Sequence, residues 1–341
     1  MMMTFYTEII EQPASLRKLI HYYQQQFPSL LSSIPAPSDL ILTGMGASLH
    51  ASEVATYHLQ SMGRRALAIE AVDLIRYGSA FLDGRYELLY ISQSGQSAEV
   101  LPLLALAKSR KIFMAVTNDL NSPLANGAEY VLPLAVETEK LVATQTYANT
   151  LAVLWLLIRR WTGISQVCDF EIILQLADFM EEILTNSEAI TSHWLEQLRV
   201  VDLVVFTGFG VHSATARQSA QTVAEYAKVP VLGLSVGALK HGFIEMFGPN
   251  IGLVVFMAHD CNWEPACRLE REMQSYGVKT LIVQHGHSRP AQERMEAGVA
   301  FDEFLSPILD VIPVQLFAEA LAAELGVPPG FRYLHKVVSY L

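Results

Sequence analysis

The segment Ser92-Gln93-Ser94-Gly95-Gln96-Ser97 follows an apolar run, Glu87-Leu88-Leu89-Tyr90-Ile91, and precedes a helical pattern of Val100, Leu101, Leu104 and Ala107. A strand that breaks into hydroxyls and glycine just before a helix makes a cradle for an anion. Free N–H groups of the first helical turn point into the loop, and serine hydroxyls add donors around them. Gly95 lets the backbone approach a ligand with no Cβ in the way. The chain carries a formal net charge of -11. A phosphate ester would therefore be held by local dipoles and hydroxyls against a repelling overall field. The same residues also make an ordinary serine-rich turn that caps a helix.

Other residues have the types needed for proton transfer. Glu225 lies on a helix expected to start near residue 211, with Gln221, Thr222 and Lys228 as its neighbours at i±3 and i±4. It reads as a solvated helix glutamate or as a positioned base. His241 sits in Gly237-Ala238-Leu239-Lys240-His241-Gly242, after the strand-like Val231-Leu232-Gly233-Leu234. A lone histidine is often structural, yet its ordinary pKa suits proton transfer near neutrality. Lys336, near the C-terminus, is a solvated cation or an amine available to chemistry.

The elements that must position these groups show an internal repeat. Asp39-Leu40-Ile41-Leu42-Thr43-Gly44-Met45-Gly46-Ala47-Ser48 and Val204-Val205-Phe206-Thr207-Gly208-Phe209-Gly210 are apolar strands ending in the same Thr-Gly-x-Gly turn. Thr43 and Thr207 stand 164 positions apart, and strand-helix alternation follows each. This reads as two related α/β halves. Strands are expected near 39–43, 66–70, 87–92, 112–117 and 129–134, with a long helix near 143–161. After a linker at 163–170, a helix of about 170–195 leads to strands near 201–207, 230–234, 251–257, 279–283 and 299–304 and a last helix at about 310–325. Runs such as Ile112-Phe113-Met114-Ala115-Val116 suit a parallel sheet covered on both faces. Residues 1 to about 37 read as an N-terminal helix followed by a loop, with Leu16, Leu19, Ile20 and Tyr23 on one helix face and Pro35 and Pro37 closing the segment.

At 341 residues the chain has room for two cores, and 51% apolar against 17% charged residues fits well-buried α/β units. No apolar run approaches the roughly 20 residues that span a bilayer. The strongest candidate, Leu151 to Ile158, ends in Arg159-Arg160 and reads as a buried helix. Early Glu8 and Glu11 do not fit a signal peptide. Cys168, Cys261 and Cys267 have no metal-ligand spacing, so free thiols in a reducing cytoplasm are expected. The acidic charge and the lack of a basic patch argue against nucleic acid.

Taken in order, these residues resemble the sugar isomerase (SIS) domain proteins, most closely the isomerase half of glucosamine-6-phosphate synthase. Gly44-Met45-Gly46-Ala47-Ser48 resembles that family's Gly-x-Gly-x-Ser turn, and Ser92–Ser97 its Ser-Gln-Ser-Gly-Glu-Thr loop. Thr138-Glu139-Lys140-Leu141-Val142-Ala143-Thr144 resembles its Thr-Glu-x-x-Val-Ala-Ser segment. Glu225 and Gly237-x-x-Lys240-His241-Gly242 keep the family spacing, and Arg332-x-Leu334-x-Lys336-x-Val338 resembles its tail. The resemblance implies two tandem SIS-type three-layer αβα domains, each with a mostly parallel sheet, at 38–165 and 166–325. Residues 1–37 precede them and 326–341 form an active-site tail.

It further implies that Gly46, Ser48, Ser92, Gln93, Ser94, Ser97, Val142 and Thr144 hold a phosphosugar, a hexose or hexosamine 6-phosphate. Glu225 would then move protons, His241 would open the sugar ring, and Lys336 would sit near the carbonyl end. His241 would act in trans within a homodimer. No metal or organic cofactor and no membrane is implied. The chain departs from the family at Gln218 and Thr222, where the family has Glu and Lys, and at Ala238, where it has Glu. The residues before 38 leave no room for the synthase's glutaminase domain, so glutamine is not the expected ammonia source. The implied activities are aldose/ketose isomerisation or deamination of an amino-sugar phosphate. Fructosamine-phosphate deglycation and non-catalytic sugar-phosphate sensing are the alternatives.

Overall fold

The computed structural model describes residues 4–26, 29–83, 85–107, 112–137, 139–165, 168–257, 263–289 and 301–333. The chain divides into two compact units: the first is Glu11–Ala177 together with Phe331–Leu341, and the second is Asp178–Gly330 together with Met1–Ile10. It opens with α1 (Phe5–Ile10), α2 (Gln12–Gln26) and α3 (Leu30–Ser33). The first unit then alternates through β1 (Asp39–Gly44), α4 (Ala47–Ser61), β2 (Arg65–Glu70), α5 (Ala71–Tyr77) and β3 (Glu87–Ile91). It continues with α6 (Val100–Leu106), β4 (Ile112–Thr117), α7 (Pro123–Asn126), β5 (Ala128–Pro133) and α8 (Gln145–Trp161). Its sheet runs β2-β1-β3-β4-β5, and the four pairings are parallel.

The strands are apolar without alternation because helices cover both faces. Leu40, Ile41 and Leu42 of β1, Leu88 to Ile91 of β3 and Met114 to Val116 of β4 are all buried. Ile41, Tyr90 and Ala115 pack with Leu74 of α5, Val100 and Leu103 of α6 and Leu124 of α7. Helix α8 packs against α4 and against α2 elsewhere in the unit. The expected stripe of Leu16, Leu19, Ile20 and Tyr23 is the buried face of α2, and the Tyr23 hydroxyl donates to Pro133 O at 3.0 Å.

The second part of the chain comprises α9 (Asp169–Thr185), α10 (Ser187–Leu198), β6 (Leu203–Gly208), α11 (His212–Ala227), β7 (Val231–Ser235) and α12 (Val236–Lys240). Then come β8 (Ile251–Phe256), α13 (Trp263–Ser275), β9 (Lys279–Gln284), β10 (His287–Arg289) and α14 (Ser306–Glu324). Its sheet runs β10-β9-β8-β6-β7. Strands β6 to β9 pair in parallel, in the order that β1 to β4 use, and β10 is antiparallel to β9.

The repeat is therefore structural. Thr43 and Thr207 are each the next-to-last residue of the strand that starts its sheet, and both are fully buried. Gly46 and Gly210 both have a positive φ, 52 and 53, that a residue with a Cβ rarely adopts. A Cβ on Gly44 would lie 2.7 Å from Ser48 Cβ, and one on Gly208 would lie 2.5 Å from His212 Cβ. Strand and following helix approach so closely at both turns that only glycine fits.

Three expectations are corrected. The helix expected over 170–195 is two helices, α9 and α10, with Asn186 as the N-cap residue of α10. Thr185 Oγ1 and Asn186 Nδ2 both donate to Glu182 O, at 2.7 and 3.0 Å, which favours termination over continuation. No strand forms over 301–304. Instead, Asp302 Oδ1 accepts from Phe304 N at 3.0 Å and Asp302 O from Leu305 N at 2.9 Å, which turns the chain into α14. The fifth strand is β10, reached through His285 and Gly286 at φ 48 and 76. Helix α14 is also longer than expected. Its 19 residues are apolar enough to cross a membrane by length and composition, and 83% of that stretch is buried inside the protein.

Candidate active site

In open α/β sheets, ligands bind beyond the carboxyl ends of the strands where the strand order reverses. In the first unit that point lies between β1 and β3, and both serine-bearing turns leave from it. The Gly44–Ser48 turn touches the end of β3, since a Cβ on Gly44 would lie 2.9 Å from Ile91 O. Ser48 N donates to Met45 O at 3.1 Å, and Ser48 is half-buried at the start of α4.

The Ser92–Ser97 loop is fixed by its own hydroxyls. Gly95 N donates to Ser92 Oγ at 3.2 Å, and Gln96 N to Ser94 Oγ at 3.2 Å. Ser92 is buried, whereas Gln93, Ser94 and Ser97 are half-buried. Gly95 has φ 61, and a Cβ there would lie 2.1 Å from Ser122 Oγ, so no side chain is accommodated. Burial raises the pKa of the Tyr90 phenol, and the nearby Ser97 hydroxyl pulls it partly back. Helix α6 starts only at Val100. The cradle is thus built from loop amides and hydroxyls, where the sequence pointed to the first turn of a helix.

Two residues order these loops: Asn118, which the sequence did not single out, and Glu139, which it gave only as part of the Thr138–Thr144 motif. Asn118, just past β4, ties two loops together. Its N–H donates to Gln93 O at 3.0 Å, while its side-chain amide donates to Val136 O at 2.8 Å and accepts from Val136 N at 2.9 Å. This holds the 134–144 connection at the same sheet edge as the serine loop. Glu139 is the second. Its buried carboxylate accepts from Thr144 N at 2.7 Å, Thr144 Oγ1 at 3.0 Å, Thr146 N at 3.3 Å and Thr146 Oγ1 at 2.6 Å. A carboxylate at the N-terminus of α8 satisfies its leading amides and meets the positive end of the helix dipole. Thr144 is fully buried with its hydroxyl proton committed to Glu139, and Val142 is buried beside it. Thr138 of the same motif lies outside the described residues.

The proton-transfer candidates lie in the second unit. Glu225 is half-buried in the last turn of α11. One turn earlier, Gln218 Nε2 donates to Thr222 Oγ1 at 3.3 Å, and both residues are buried. An uncharged pair thus stands where the resembled family has Glu and Lys. His241 follows α12 and is exposed; neighbouring Lys240 pairs with Glu272 of α13. Ala238, His241, Gly242, Phe243, Glu245 and Met246 line a shallow depression of about 710 Å³. Lys336 lies outside the described residues, as does most of the tail motif.

The turn that repeats the first unit's is closed. His212 occupies the place of Ser48 and is fully buried, with Nδ1 3.4 Å from Asp310 Oδ2 of α14. Asp310 accepts from Gly286 N and Ser306 Oγ, each at 2.8 Å, and Ser306 Oγ lies 3.3 Å from His285 Nδ1. Burial pushes the Asp310 carboxyl up to about 8, against the pull of its hydrogen bonds. Burial, then the nearby His285 charge, pushes His212 down to about 3. At neutral pH the pair is a protonated acid beside a neutral imidazole. Among the described residues no group of three or more His, Cys, Asp or Glu side chains is arranged to hold a metal ion. Cys168 is exposed and Cys267 buried, and Cys261 lies outside the described residues.

Residues 35–160 match the family model described as the SIS domain. The match covers most of the first unit, and the sheet of the second unit repeats the same strand order. The glutamine–fructose-6-phosphate aminotransferase (isomerizing) of Pyrococcus horikoshii is 28% identical over 342 residues, covering 97% of this chain and 57% of that protein. The chain spans about half the length of the curated relatives it matches. Among solved structures, the C-terminal domain of glucosamine-fructose-6-phosphate aminotransferase from Francisella tularensis superposes with a TM-score of 0.83 at 18% identity, covering 97% of this chain and 99% of that one. Glucosamine-6-phosphate deaminase from Thermotoga maritima gives 0.79 at 20% identity, with 98% and 99% covered.

Proposed function

We propose that this chain is a cytoplasmic phosphosugar enzyme. It takes a hexose or hexosamine 6-phosphate, opens the ring and moves a proton between C1 and C2. The observation that carries this reading is the meeting of the Gly44–Ser48 turn and the Ser92–Ser97 loop at one sheet edge. Hydroxyls and close-approaching backbone there suit a phosphate ester without a basic cluster. Ser48, Ser92, Gln93, Ser94 and Ser97 hold the phosphate end, and Val142 and Thr144 close the site beside them. The Glu225 carboxylate takes a proton from one carbon and returns it to the next through an enediol. On a 2-amino sugar the same transfer gives a ketimine at C2, and water then releases ammonia and the ketose phosphate. Lys336 serves the carbonyl end.

His241 opens the ring and is supplied by a second copy of the chain. Its exposure beside Phe243, also exposed at 44%, supports a role at a surface that another subunit covers. The relatives' printed names, an isomerizing aminotransferase and a deaminase, support amino-sugar phosphates as the substrate class. A panel of hexose and hexosamine 6-phosphates, assayed for ketose phosphate and for ammonia, tests the reading. Ammonia from a hexosamine 6-phosphate marks a deaminase and ketose phosphate alone an isomerase; no product from any member overturns both.

A second reading is a deglycase that releases an amino acid from a phosphorylated fructosamine. It is favoured by Ala238 lining the depression beside His241, where a methyl group leaves room for a larger leaving group. Free amino acid released from a fructosamine 6-phosphate, with hexosamine 6-phosphates inert, selects it.

A further inference from the structure

Lys228 ends α11 in the left-handed region, φ 59 and ψ 30. Glycine or asparagine is the usual occupant of such a position, because a Cβ is disfavoured there. The side chain compensates. Its ammonium donates to Glu225 O, in the last helical turn, and to Gly330 O at 2.9 Å. A cation at this end also meets the negative pole of the helix.

Gly330 is the second fixed point on a stiff segment. Helix α14 closes with Gly326 at φ 65 and Val327 N donating to Ala322 O at 2.8 Å. Pro328 and Pro329 then restrict the backbone. Gly330 has φ 101, which a residue with a Cβ rarely adopts. The chain is thus held at Val327 and again at Gly330, immediately before the tail.

We propose that Lys228 is a positioning residue that ties the end of the Glu225 helix to the start of the C-terminal tail. It holds the Glu225 end of that helix in place. This rests on the reading above, in which Glu225 is the base.

Lys228→Met keeps the stem and removes the donors, Lys228→Gly removes the donors and suits the left-handed backbone, and Lys228→Arg keeps a cation. The first readout is trypsin cleavage after the exposed Arg332, followed by mass spectrometry. Losing a charge-assisted hydrogen bond should open the segment roughly tenfold more often, so cleavage should rise about tenfold in the Met and Gly variants and much less in Arg. A cap alone would leave the Gly variant as protected as wild type. The second readout is steady-state kinetics on the sugar phosphate that the panel identifies, where kcat falls in Met and Gly, KM stays near wild type and Arg recovers most of the rate. Unchanged cleavage in both Met and Gly overturns the tether. Faster cleavage with unchanged kcat overturns the positioning role. A wild-type protein inactive on the whole panel sinks the enzymatic reading, and with it the role in catalysis, while cleavage still decides the tether.

Discussion

Glu139 Oε1 accepts hydrogen bonds from both the backbone N–H and the hydroxyl of Thr144, at 2.7 and 3.0 Å. The same carboxylate serves Thr146, so one buried acid organises the start of α8. Glu139→Ala leaves those donors buried without an acceptor. Each unsatisfied group costs about 1–3 kcal/mol, so a loss of at least about 3 kcal/mol is expected, read as a lower urea midpoint. Glu139→Gln keeps one acceptor oxygen and should lose less than half as much. An unchanged midpoint in the Ala variant refutes the account.

The serine loop should control affinity more than rate. Ser94→Ala and Ser97→Ala remove hydroxyls from the proposed phosphate end and leave the reacting carbons untouched. Each should weaken binding of a sugar 6-phosphate about 3- to 10-fold, the scale of one hydrogen bond, with kcat changed by less than twofold. Calorimetric titration with inorganic phosphate and with the sugar phosphate measures this. Equal affinity in both variants and wild type sinks the phosphate assignment.

Glu225→Gln keeps size and hydrogen bonding but removes the basic carboxylate. A general base typically contributes about 100- to 10,000-fold, and the loss should fall on kcat. His241→Ala should be similarly impaired. Mixing the two inactive proteins distinguishes a shared site from one built within a single chain. With a shared site, exchanged heterodimers regain one site that has both groups, and part of the activity returns. A mixture that stays inactive after verified subunit exchange rules the shared site out.

The buried pair Asp310 and His212 makes stability depend on pH in a specific way. Between pH about 3.8 and 6.5 the pair binds one proton in either state, on Asp310 when folded and on the histidine when unfolded, so it contributes no slope. Above 6.5 the unfolded histidine is neutral, while folded Asp310 keeps its proton to about 8. The folded state then holds the extra proton, and stability falls by about 2 kcal/mol across that window. Below 3.8 the unfolded chain gains a second proton before His212 does, and stability falls again. Urea unfolding of wild type against Asp310→Asn from pH 6 to 8.5 checks the alkaline limb, which the variant should lack. Parallel curves for the two proteins would contradict it.

Much of the scaffold was legible because it rests on local constraints. The runs in β1, β3 and β4 had to be apolar to lie between helices, and the two Thr-Gly-x-Gly turns had to keep glycine where strand and helix touch. What escaped the sequence depends on distant partners or on very short elements. β10 is three residues, His-Ser-Arg, with no apolar alternation to betray it. Asn118 looks like an ordinary loop polar residue until the 134–144 connection folds over it, and Glu139 stood in a recognised motif with no sign that it serves Thr144 and Thr146. His212 gave no sign of its burial, because Asp310 and Ser306 come from a helix far along the chain. The helix break at Asn186 was visible in its Thr-Asn pair, but a periodic apolar pattern on both sides masked it.

Helix α1 stands at the opposite end of the sequence from the core it completes. Phe5 and Ile9 are fully buried, and the Phe5 ring stacks on Tyr226, the neighbour of Glu225, with centroids 4.1 Å apart. The second unit therefore cannot be cut out of the gene as one contiguous stretch, and its last-made residues wait for a partner that left the ribosome first. Trimming a handful of amino-terminal residues, a routine step when shortening a protein, would leave Tyr226 without its stacking ring. The damage would surface more than 200 residues downstream, beside Glu225.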